Sequence, residues 1–492
     1  MSINFFPINL IFLPSLVNIA MAFIILALFY IFNRQFTASA IYSSIFIVWF
    51  YNYGAVNRAL NALSWGQLIL ERKELLFALW LLFLFILWFI SHIIIKNGKQ
   101  AFLNYFLNIV AVALVIMPLL FCFYGFLSQI KANIRANKFL AKEMHSYKLP
   151  GVKKAVDRPS PDIYFIILDA YTNKRSLRTN YGYDNSAFLN DLRRRSFYVA
   201  EKATSNYPIS MLSLTATLNM RYLDEMPLLF GRYSQNVSLI MDLWKNNNKV
   251  ESLFRSMGYE IINLNYTGYE TKRSILSRQG VFARLFSADF DRLLIKKTII
   301  LPWYRQIEER TFRGLTISAF SELRQNKNKS KPRFIYTHIP CPHGPYVFGP
   351  DGEETGSDYI KQVKFINKKI LATIDQIRVQ SQIPPIMIIQ GDHGSYYNIN
   401  IFSNELPSDR NIGPQFGVLN AMYLPGKDTS FLPDNLSSVN TFRIIMDLYF
   451  SGHYLLLKNK HYYATYAMPF DFHDVTNVVE RFNSSASQGT SK

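Results

Sequence analysis

The chain has 492 residues, of which 50% are hydrophobic, and it carries a formal net charge of +19. A basic excess of this size suits an anionic membrane surface or a nucleic acid, but the sequence shows neither a zinc finger nor an RNA-binding signature of aromatic and glycine residues. Its two cysteines, Cys122 and Cys341, argue against an intramolecular disulfide and against a zinc site built on cysteine.

The first quarter of the chain contains four apolar segments long enough to cross a membrane. A spanning helix needs about 20 apolar residues, because hydrocarbon offers its backbone no hydrogen-bond partner. We place these helices at about 10–32, 37–56, 75–95 and 102–127. No basic stretch precedes the first segment and no small-residue cleavage site follows it, so we expect it to be retained. Residues 1–128 are therefore predicted to form a transmembrane helical bundle, with multi-pass topology.

The charges of the short loops do not orient this bundle, since three basic residues fall on each side. An even number of spans nevertheless places the N-terminus and the rest of the chain on the same side. Residues 129–158 follow the last span and contain eight lysines and arginines. We interpret them as a juxtamembrane connector that lies against anionic lipid headgroups, and we expect no nucleic-acid partner.

A second domain is predicted to begin after the proline-rich residues 158–161. Residues 163–168 form a continuous apolar run, which is typical of a strand buried on both faces. Similar runs recur at residues 197–200, 260–264, 334–336 and 386–389. Helical patterns separate them, and the clearest covers residues 358–379. This alternation predicts a doubly wound α/β domain over residues 159–475, and the serine-rich residues 476–492 are expected to be a disordered tail.

Two of the apolar runs lead into residues that commonly bind metals. Asp169 directly follows the first run, and Asp392 and His393 come shortly after the last one. Ligands of such sheets bind at the carboxyl ends of strands. A lone aspartate there is more often a helix cap or a turn residue. The joint presence of carboxylates and an imidazole predicts a divalent metal site that suits zinc or manganese.

The same residues resemble a known family. Residues 161–169 are similar to the first strand and metal-binding acid of the alkaline phosphatase and sulfatase superfamily, and residues 391–394 are similar to its late metal-binding pair. The layout resembles the membrane-bound branch that includes lipoteichoic acid synthases and phosphoethanolamine transferases. The resemblance covers about residues 160–470. It implies an alkaline phosphatase-like α/β sandwich on the outer side of the cytoplasmic membrane, with Asp169, Asp392 and His393 as metal ligands.

The resemblance also implies a hydroxyl nucleophile at the start of a helix, whose N–H groups help to hold the phosphate. Thr204 and Ser205 lie in the corresponding stretch and resemble the Thr-Ser pair of lipoteichoic acid synthases. Aligning Pro208 with the sulfatase motif instead puts Asn206, which is not a nucleophile, in that position. We expect Thr204 to act, with Ser205 as the second choice. Both residues also fit a plain helix cap.

Further residues are candidates for contact with the substrate. The His-Gly-Pro sequence at His343 resembles the motif that places a histidine beside the transferred group in phosphoethanolamine transferases, where it can bind a phosphoryl oxygen or protonate a leaving alkoxide. His338 reads equally as a substrate contact or as a buried core histidine. Asn206 and Arg410 are weaker candidates for substrate binding. The late histidines are expected to be structural or surface residues: His453, His461 and His473.

These features imply a metal-dependent phosphotransferase or phosphodiesterase of the cell envelope, with a membrane lipid as donor or substrate and a glycan or lipid as acceptor. Hydrolysis of sulfate esters is less expected, because neither cysteine lies in the signature that yields formylglycine. The alternative is a non-catalytic assembly or binding protein on the same fold, in which Asn206 marks a lost nucleophile. A transporter is disfavoured because the spans contain few ionisable residues beyond His92.

Overall fold

The computed structural model describes residues 8–61, 73–112, 160–265, 295–325, 331–354, 357–403 and 405–484, together with isolated positions between 116 and 139. The chain divides into two compact units. The helical unit comprises residues 2–128 and 272–310, and the sheet unit comprises residues 129–271 and 311–492.

The helical unit contains the predicted N-terminal helices. Their bounds are α1 (Ile8–Asn33), α2 (Phe36–Asn61), α3 (Lys73–Lys96) and α4 (Gln100–Val112). By length and composition, α1 and α3 alone among the described helices are apolar enough to cross a membrane. The prediction of four spans is therefore not supported by the described part of the chain.

The structure leaves the two other predicted spans unsupported for different reasons. The helix α2 forms where it was predicted, but it is less apolar than α1 and α3. The hydroxyls of Ser39, Ser43 and Ser44 donate to carbonyls one turn earlier, which makes these polar residues compatible with a helix. The fourth predicted span lies largely outside the described residues, as does the connector 129–158.

Within the helical unit, a buried cluster joins α2 and α3 to the returning residues 295–301. Trp49 and Trp80 stack in this cluster, and the Trp49 indole donates to the Trp80 carbonyl at 2.8 Å. Ile299 is buried in the same cluster. The backbone of the returning segment passes directly over Gly54, whose N–H donates to the Lys297 carbonyl at 2.9 Å. A side chain at position 54 would clash with this backbone.

The sheet unit alternates strands and helices. The strands are β1 (Ile163–Leu168), β2 (Phe197–Val199), β3 (Glu260–Asn265), β4 (Arg333–Ile339), β5 (Ile386–Gly391), β6 (Asn420–Tyr423), β7 (Tyr462–Tyr463) and β8 (His473–Asp474). The helices that follow in the chain are α5 (Lys174–Tyr181), α6 (Ser186–Arg194), α7 (Ser210–Asn219), α8 (Met226–Phe230), α9 (Ser238–Lys245), α10 (Lys249–Ser256), α11 (Leu301–Leu323), α12 (Tyr359–Gln380), α13 (Asp409–Phe416), α14 (Thr441–Phe450) and α15 (Thr476–Ser484). The helix α11 starts in the helical unit and ends in the sheet unit.

Six strands form one sheet in the order β2-β6-β5-β1-β4-β3. The four strands β5, β1, β4 and β3 run parallel, whereas β6 and β2 form an antiparallel edge. Every residue of β1 is buried, as the continuous apolar run predicted. All five predicted runs form strands, so the predicted α/β class is confirmed, with a mixed sheet.

The register of the parallel strands determines where the polar residues meet. Leu168, the last residue of β1, lies beside Ile339 of β4 and Gly391 of β5. The residues that follow these strands therefore emerge at one edge of the sheet.

The predicted tail needs correction. Residues 476–484 form α15, in which Val479 is fully buried. Arg481 of this helix pairs with Asp409 at 3.0 Å, and Phe482 packs closely against Gly413. These contacts order a segment whose composition alone indicated disorder. Residues 485–492 lie outside the described part of the chain.

Candidate active site

Four side chains converge at the carboxyl ends of β5, β1 and β4. His338 Nε2 lies 3.5 Å from Asp392 Oδ2 and 4.0 Å from Asp169 Oδ2. His393 Nε2 lies 3.6 Å from Asp169 Oδ1 and 3.6 Å from Asp392 Oδ2. These separations exceed those of good hydrogen bonds. The four residues, which we call the acid-histidine cluster, thus lie close together, and their side chains form no good hydrogen bonds with one another.

Three residues of the acid-histidine cluster lie close enough together to hold a divalent metal ion. One donor atom from each of Asp169, His338 and Asp392 lies within 4.8 Å of the others. In a tetrahedral site with bonds of about 2.1 Å, neighbouring donor atoms lie about 3.4 Å apart. Asp169 Oδ1, Asp392 Oδ2 and both ring nitrogens of His338 are buried without a hydrogen-bond partner in the described structure. Buried polar atoms rarely stay unpaired, and one ion bound by Asp169 Oδ1, Asp392 Oδ2 and His338 Nε2 would satisfy three of them.

Hydrogen bonds with backbone groups orient the members of the cluster. Asp392 Oδ1 accepts from the N–H groups of Ala170 and His393, both at 2.9 Å, and this leaves Oδ2 facing the cluster. His393 Nδ1 lies 2.8 Å from the Gly394 carbonyl. A proton on Nδ1 would be held by this carbonyl, so that the lone pair of Nε2 faces the cluster. Such outer contacts are what fix metal ligands in their working orientation.

Burial and mutual charge set the protonation of the cluster. Burial and the neighbouring Asp392 raise the pKa of Asp169 well above its ordinary value. Burial also tends to raise the pKa of Asp392. The neighbouring His393 and His338 outweigh this effect and hold the pKa of Asp392 below its ordinary value. Burial lowers the pKa of His393. A lowered pKa favours the neutral form of His393, which is the form of an imidazole that binds a metal.

Two histidines of the β4 region take different positions. His338, predicted as a substrate contact or a core residue, lies inside the acid-histidine cluster. His343 lies beside it: its N–H donates to the Asp169 carbonyl at 3.0 Å, and its ring is 6.2 Å from that of Tyr396. Its half-buried side chain lines a cavity next to the cluster. This position is compatible with contact to a bound substrate.

The predicted nucleophile segment is buried and occupied by structural contacts. Thr204 Oγ1 lies 2.9 Å from His461 Nε2, and the Thr204 backbone bridges to neighbouring segments. The Ser205 hydroxyl is buried without a partner in the described structure. The amide of Asn206 donates to the Lys460 carbonyl and accepts from a backbone N–H, both at 2.9 Å. None of these contacts reaches the acid-histidine cluster, so the roles proposed for the three residues stay predictions.

A hydroxyl that the sequence interpretation did not consider lies at the start of a helix that contacts the acid-histidine cluster. Ser210 is the first residue of α7 and is the only residue from 203 to 220 that is not buried. Two bonds hold this end of α7 against the cluster. Tyr396 donates to the Pro208 carbonyl at 2.9 Å and lies 3.2 Å from His393 Nε2, and Ser213 donates to the Asp392 carbonyl at 2.5 Å.

The signal for Ser210 was already present in the sequence. The helix-like pattern begins at position 210, and the resemblance implies a nucleophile at a helix start. Arg410 is not brought into the site by any described contact. It is exposed near the start of α13, and its role in substrate binding stays a prediction.

His461, expected to be structural or superficial, is buried against Thr204. Burial lowers the pKa of its imidazole to about 4, although the charge of Asp474 opposes this. The unfolded chain, with a pKa of about 6.5, takes up the proton first, so the stability that depends on neutral His461 is fully present above pH 6.5 and is lost as the pH falls toward 4.

We expect this loss to reach about 3 kcal/mol at pH 4. The unfolding midpoint of wild-type protein is compared with that of His461→Gln between pH 4 and 7. The wild type should lose more stability than the variant over this range. Parallel curves for the two proteins would show that His461 does not stay neutral in the folded state.

Comparisons with known proteins give only distant likenesses. No protein-family model and no curated protein sequence matches the chain. Among solved structures, the C-terminal periplasmic domain of EcEptC from Escherichia coli is 12% identical with a TM-score of 0.42, and the match covers 66% of this chain and 96% of that domain. The corresponding domain of the phosphoethanolamine transferase EptC from Campylobacter jejuni is 11% identical (TM-score 0.37; 59% and 89% covered). A putative sulfatase from Bacteroides thetaiotaomicron is 14% identical (TM-score 0.35; 63% and 74% covered).

Proposed function

We propose that this chain is a membrane-anchored, metal-dependent enzyme that cleaves or transfers substituted phosphate groups at the outer face of the cytoplasmic membrane. One observation supports this most directly. The acid-histidine cluster lies against α7, and Ser210 at the start of this helix is accessible to solvent. A site of this composition suits reactions in which a hydroxyl attacks phosphorus.

Each residue receives a distinct role in this proposal. Asp169, His338, Asp392 and His393 would hold one divalent ion, zinc or manganese, which when bound supplies Lewis-acid stabilisation of a phosphoryl oxygen. Ser210 is proposed as the nucleophile. The free N–H groups at the start of α7 stabilise negative charge on the same phosphate, because the N-terminus of a helix favours anions.

The reaction has two balanced steps. In the first step the Ser210 oxygen forms a bond to phosphorus as its proton passes to solvent, and the bond from phosphorus to the leaving alkoxide breaks while His343 donates a proton to that alkoxide. In the second step the hydroxyl of an acceptor, or water, attacks phosphorus and gives its proton to His343, while the bond from phosphorus to Ser210 breaks and the Ser210 oxygen takes a proton from solvent. Anchoring favours a lipid donor or substrate, since a tethered enzyme meets lipid at high effective concentration. We propose a glycan or lipid as the acceptor.

Phosphate is favoured over sulfate in this proposal. Cys341, the cysteine of the sheet unit, is fully buried in the loop before His343 and not at the start of α7. The non-catalytic alternative also loses its main support, because the two hydrogen bonds of Asn206 explain why an amide occupies that position.

The test uses the full chain in lipid nanodiscs, supplied with zinc or manganese. Release of p-nitrophenol is measured from bis-p-nitrophenyl phosphate and from p-nitrophenyl sulfate. We expect turnover of the diester alone, lost on chelation and restored when metal is returned. Turnover of the sulfate ester alone, or no turnover by folded and metal-loaded protein, would contradict the proposal.

A further inference from the structure

A cavity of about 750 Å³ opens beside the acid-histidine cluster. Three residues that line it also touch the cluster. Ala170 donates its N–H to Asp392, His343 donates its N–H to the Asp169 carbonyl, and the ring of Tyr396 stacks on that of His393 with centroids 4.7 Å apart. A substituent on a phosphate held at the cluster would therefore extend into this cavity.

Tyrosine dominates the cavity wall. Besides Tyr396, four tyrosines line it: Tyr181, Tyr346, Tyr359 and Tyr397. The ring of Tyr181 lies 4.8 Å from that of Tyr359 at 30° and 5.0 Å from that of Tyr397 at 71°. Tyr346 and Tyr397 are 49% and 38% exposed, so their rings are open to a ligand. Each ring offers a flat apolar face and a hydroxyl, which suits a ligand with both C–H and O–H groups.

The charged residues of the wall argue against an anionic substituent and against an ammonium substituent. In a chain of net charge +19, the described lining residues include no lysine or arginine that would pair with an anionic group. The one carboxylate among them, Asp358, caps α12 by accepting from the Lys361 N–H at 2.8 Å and lies 3.8 Å from Lys361 Nζ. It is therefore already engaged and is a poor counter-ion for an ammonium group.

We propose that this tyrosine cavity binds a neutral sugar ring of the substrate, next to the phosphate that reacts. The inference rests on the proposed function, because it assumes that a phosphate occupies the cluster. The cavity volume exceeds what a small headgroup such as ethanolamine fills. The C–H faces of a sugar ring pack on Tyr346 and Tyr397, while its hydroxyls bond to the phenol groups.

The first experiment measures binding by calorimetry on the metal-loaded full chain in nanodiscs free of glycosidic detergent. The ligands are glucose 1-phosphate, glycerol 3-phosphate and ethanolamine phosphate. We expect glucose 1-phosphate to bind about tenfold more tightly than the other two, and Tyr346→Ala or Tyr397→Ala to remove most of this preference. The control is Tyr233→Ala, an exposed tyrosine outside the cavity, which should keep the preference.

Tighter binding of ethanolamine phosphate would overturn the inference in favour of a cation-binding cavity, and a sugar preference that survives both variants would overturn it as well. A second measurement separates this inference from the proposed function. Saturation-transfer NMR with methyl glucoside, which has no phosphate, should show contact that Tyr397→Ala abolishes. Such contact without diester turnover would support the cavity and reject the enzyme, whereas turnover without contact would reject the cavity.

Discussion

Replacing Ser210 with alanine is expected to lower the turnover of bis-p-nitrophenyl phosphate by roughly 10³-fold or more, since removing a nucleophile typically costs a large part of the rate enhancement. The reason is positional. Ser210 is the one hydroxyl that solvent reaches in residues 203–220, and it begins a helix fixed to the Asp392 carbonyl and, through Tyr396, to His393. Initial rates of the metal-loaded full chain provide the measurement.

A matched control is Ser238→Ala, because Ser238 is likewise the first residue of a helix but lies in α9. Its turnover should equal that of the wild type. Thr204→Ala and Ser205→Ala are tested beside it. If turnover is lost in Thr204→Ala and kept in Ser210→Ala, the assignment of Ser210 is wrong and the original prediction of Thr204 is right. Acid-quenched protein incubated with the diester should also carry a p-nitrophenylphosphoryl group on the peptide that contains Ser210.

Zinc is expected to raise the unfolding midpoint of the wild-type chain, and Asp392→Asn should abolish most of this rise. Zinc at about 100 times its dissociation constant would stabilise the folded state by about 2.7 kcal/mol. Asp392 is fully buried, and its Oδ2 atom faces both histidines of the cluster. An amide in its place removes the negative charge that draws the ion. Thermal unfolding with and without zinc provides the measurement, independent of any activity.

The control for this experiment is Asp351→Asn, which changes an exposed aspartate on the surface. It should keep the full zinc-dependent shift. His338→Gln tests the residue that sequence alone did not assign to the metal, and we expect it to weaken zinc binding by at least tenfold. An unchanged zinc shift in Asp392→Asn would show that the cluster does not hold the ion. An unchanged shift in His338→Gln would remove that histidine from the ligand set.

The strands and the two acids at their ends could be predicted because burial on both faces leaves a continuous apolar run, which is visible in sequence. The position of His338 beside these acids could not be predicted from the sequence. Whether it meets Asp392 depends on the register between β4 and β1, in which it lies beside Ile167, and register is a property of pairing rather than of either strand alone.

The nucleophile segment shows a second limit. Thr204 and Asn206 are polar, so the sequence suggested a catalytic or binding role for them. In the structure their side chains instead form buried hydrogen bonds, Thr204 with the His461 ring and Asn206 with a backbone carbonyl. Burial of polar residues by specific hydrogen bonds leaves no periodic pattern. The prediction that α2 spans the membrane is unsupported for a related reason, because serines that bond to their own helix lower its hydropathy without preventing a helix.

The hydroxyl of Tyr396 has a consequence for how the site responds to its ligands. It joins the Pro208 carbonyl, at the start of α7, to the ring of His393. A bound metal can raise the affinity of Ser210 and its helix for a phosphate. The phosphate must then raise the affinity of the cluster for the metal by the same factor. Tyr396→Phe should reduce this coupling, so that each ligand changes the affinity for the other by a smaller factor.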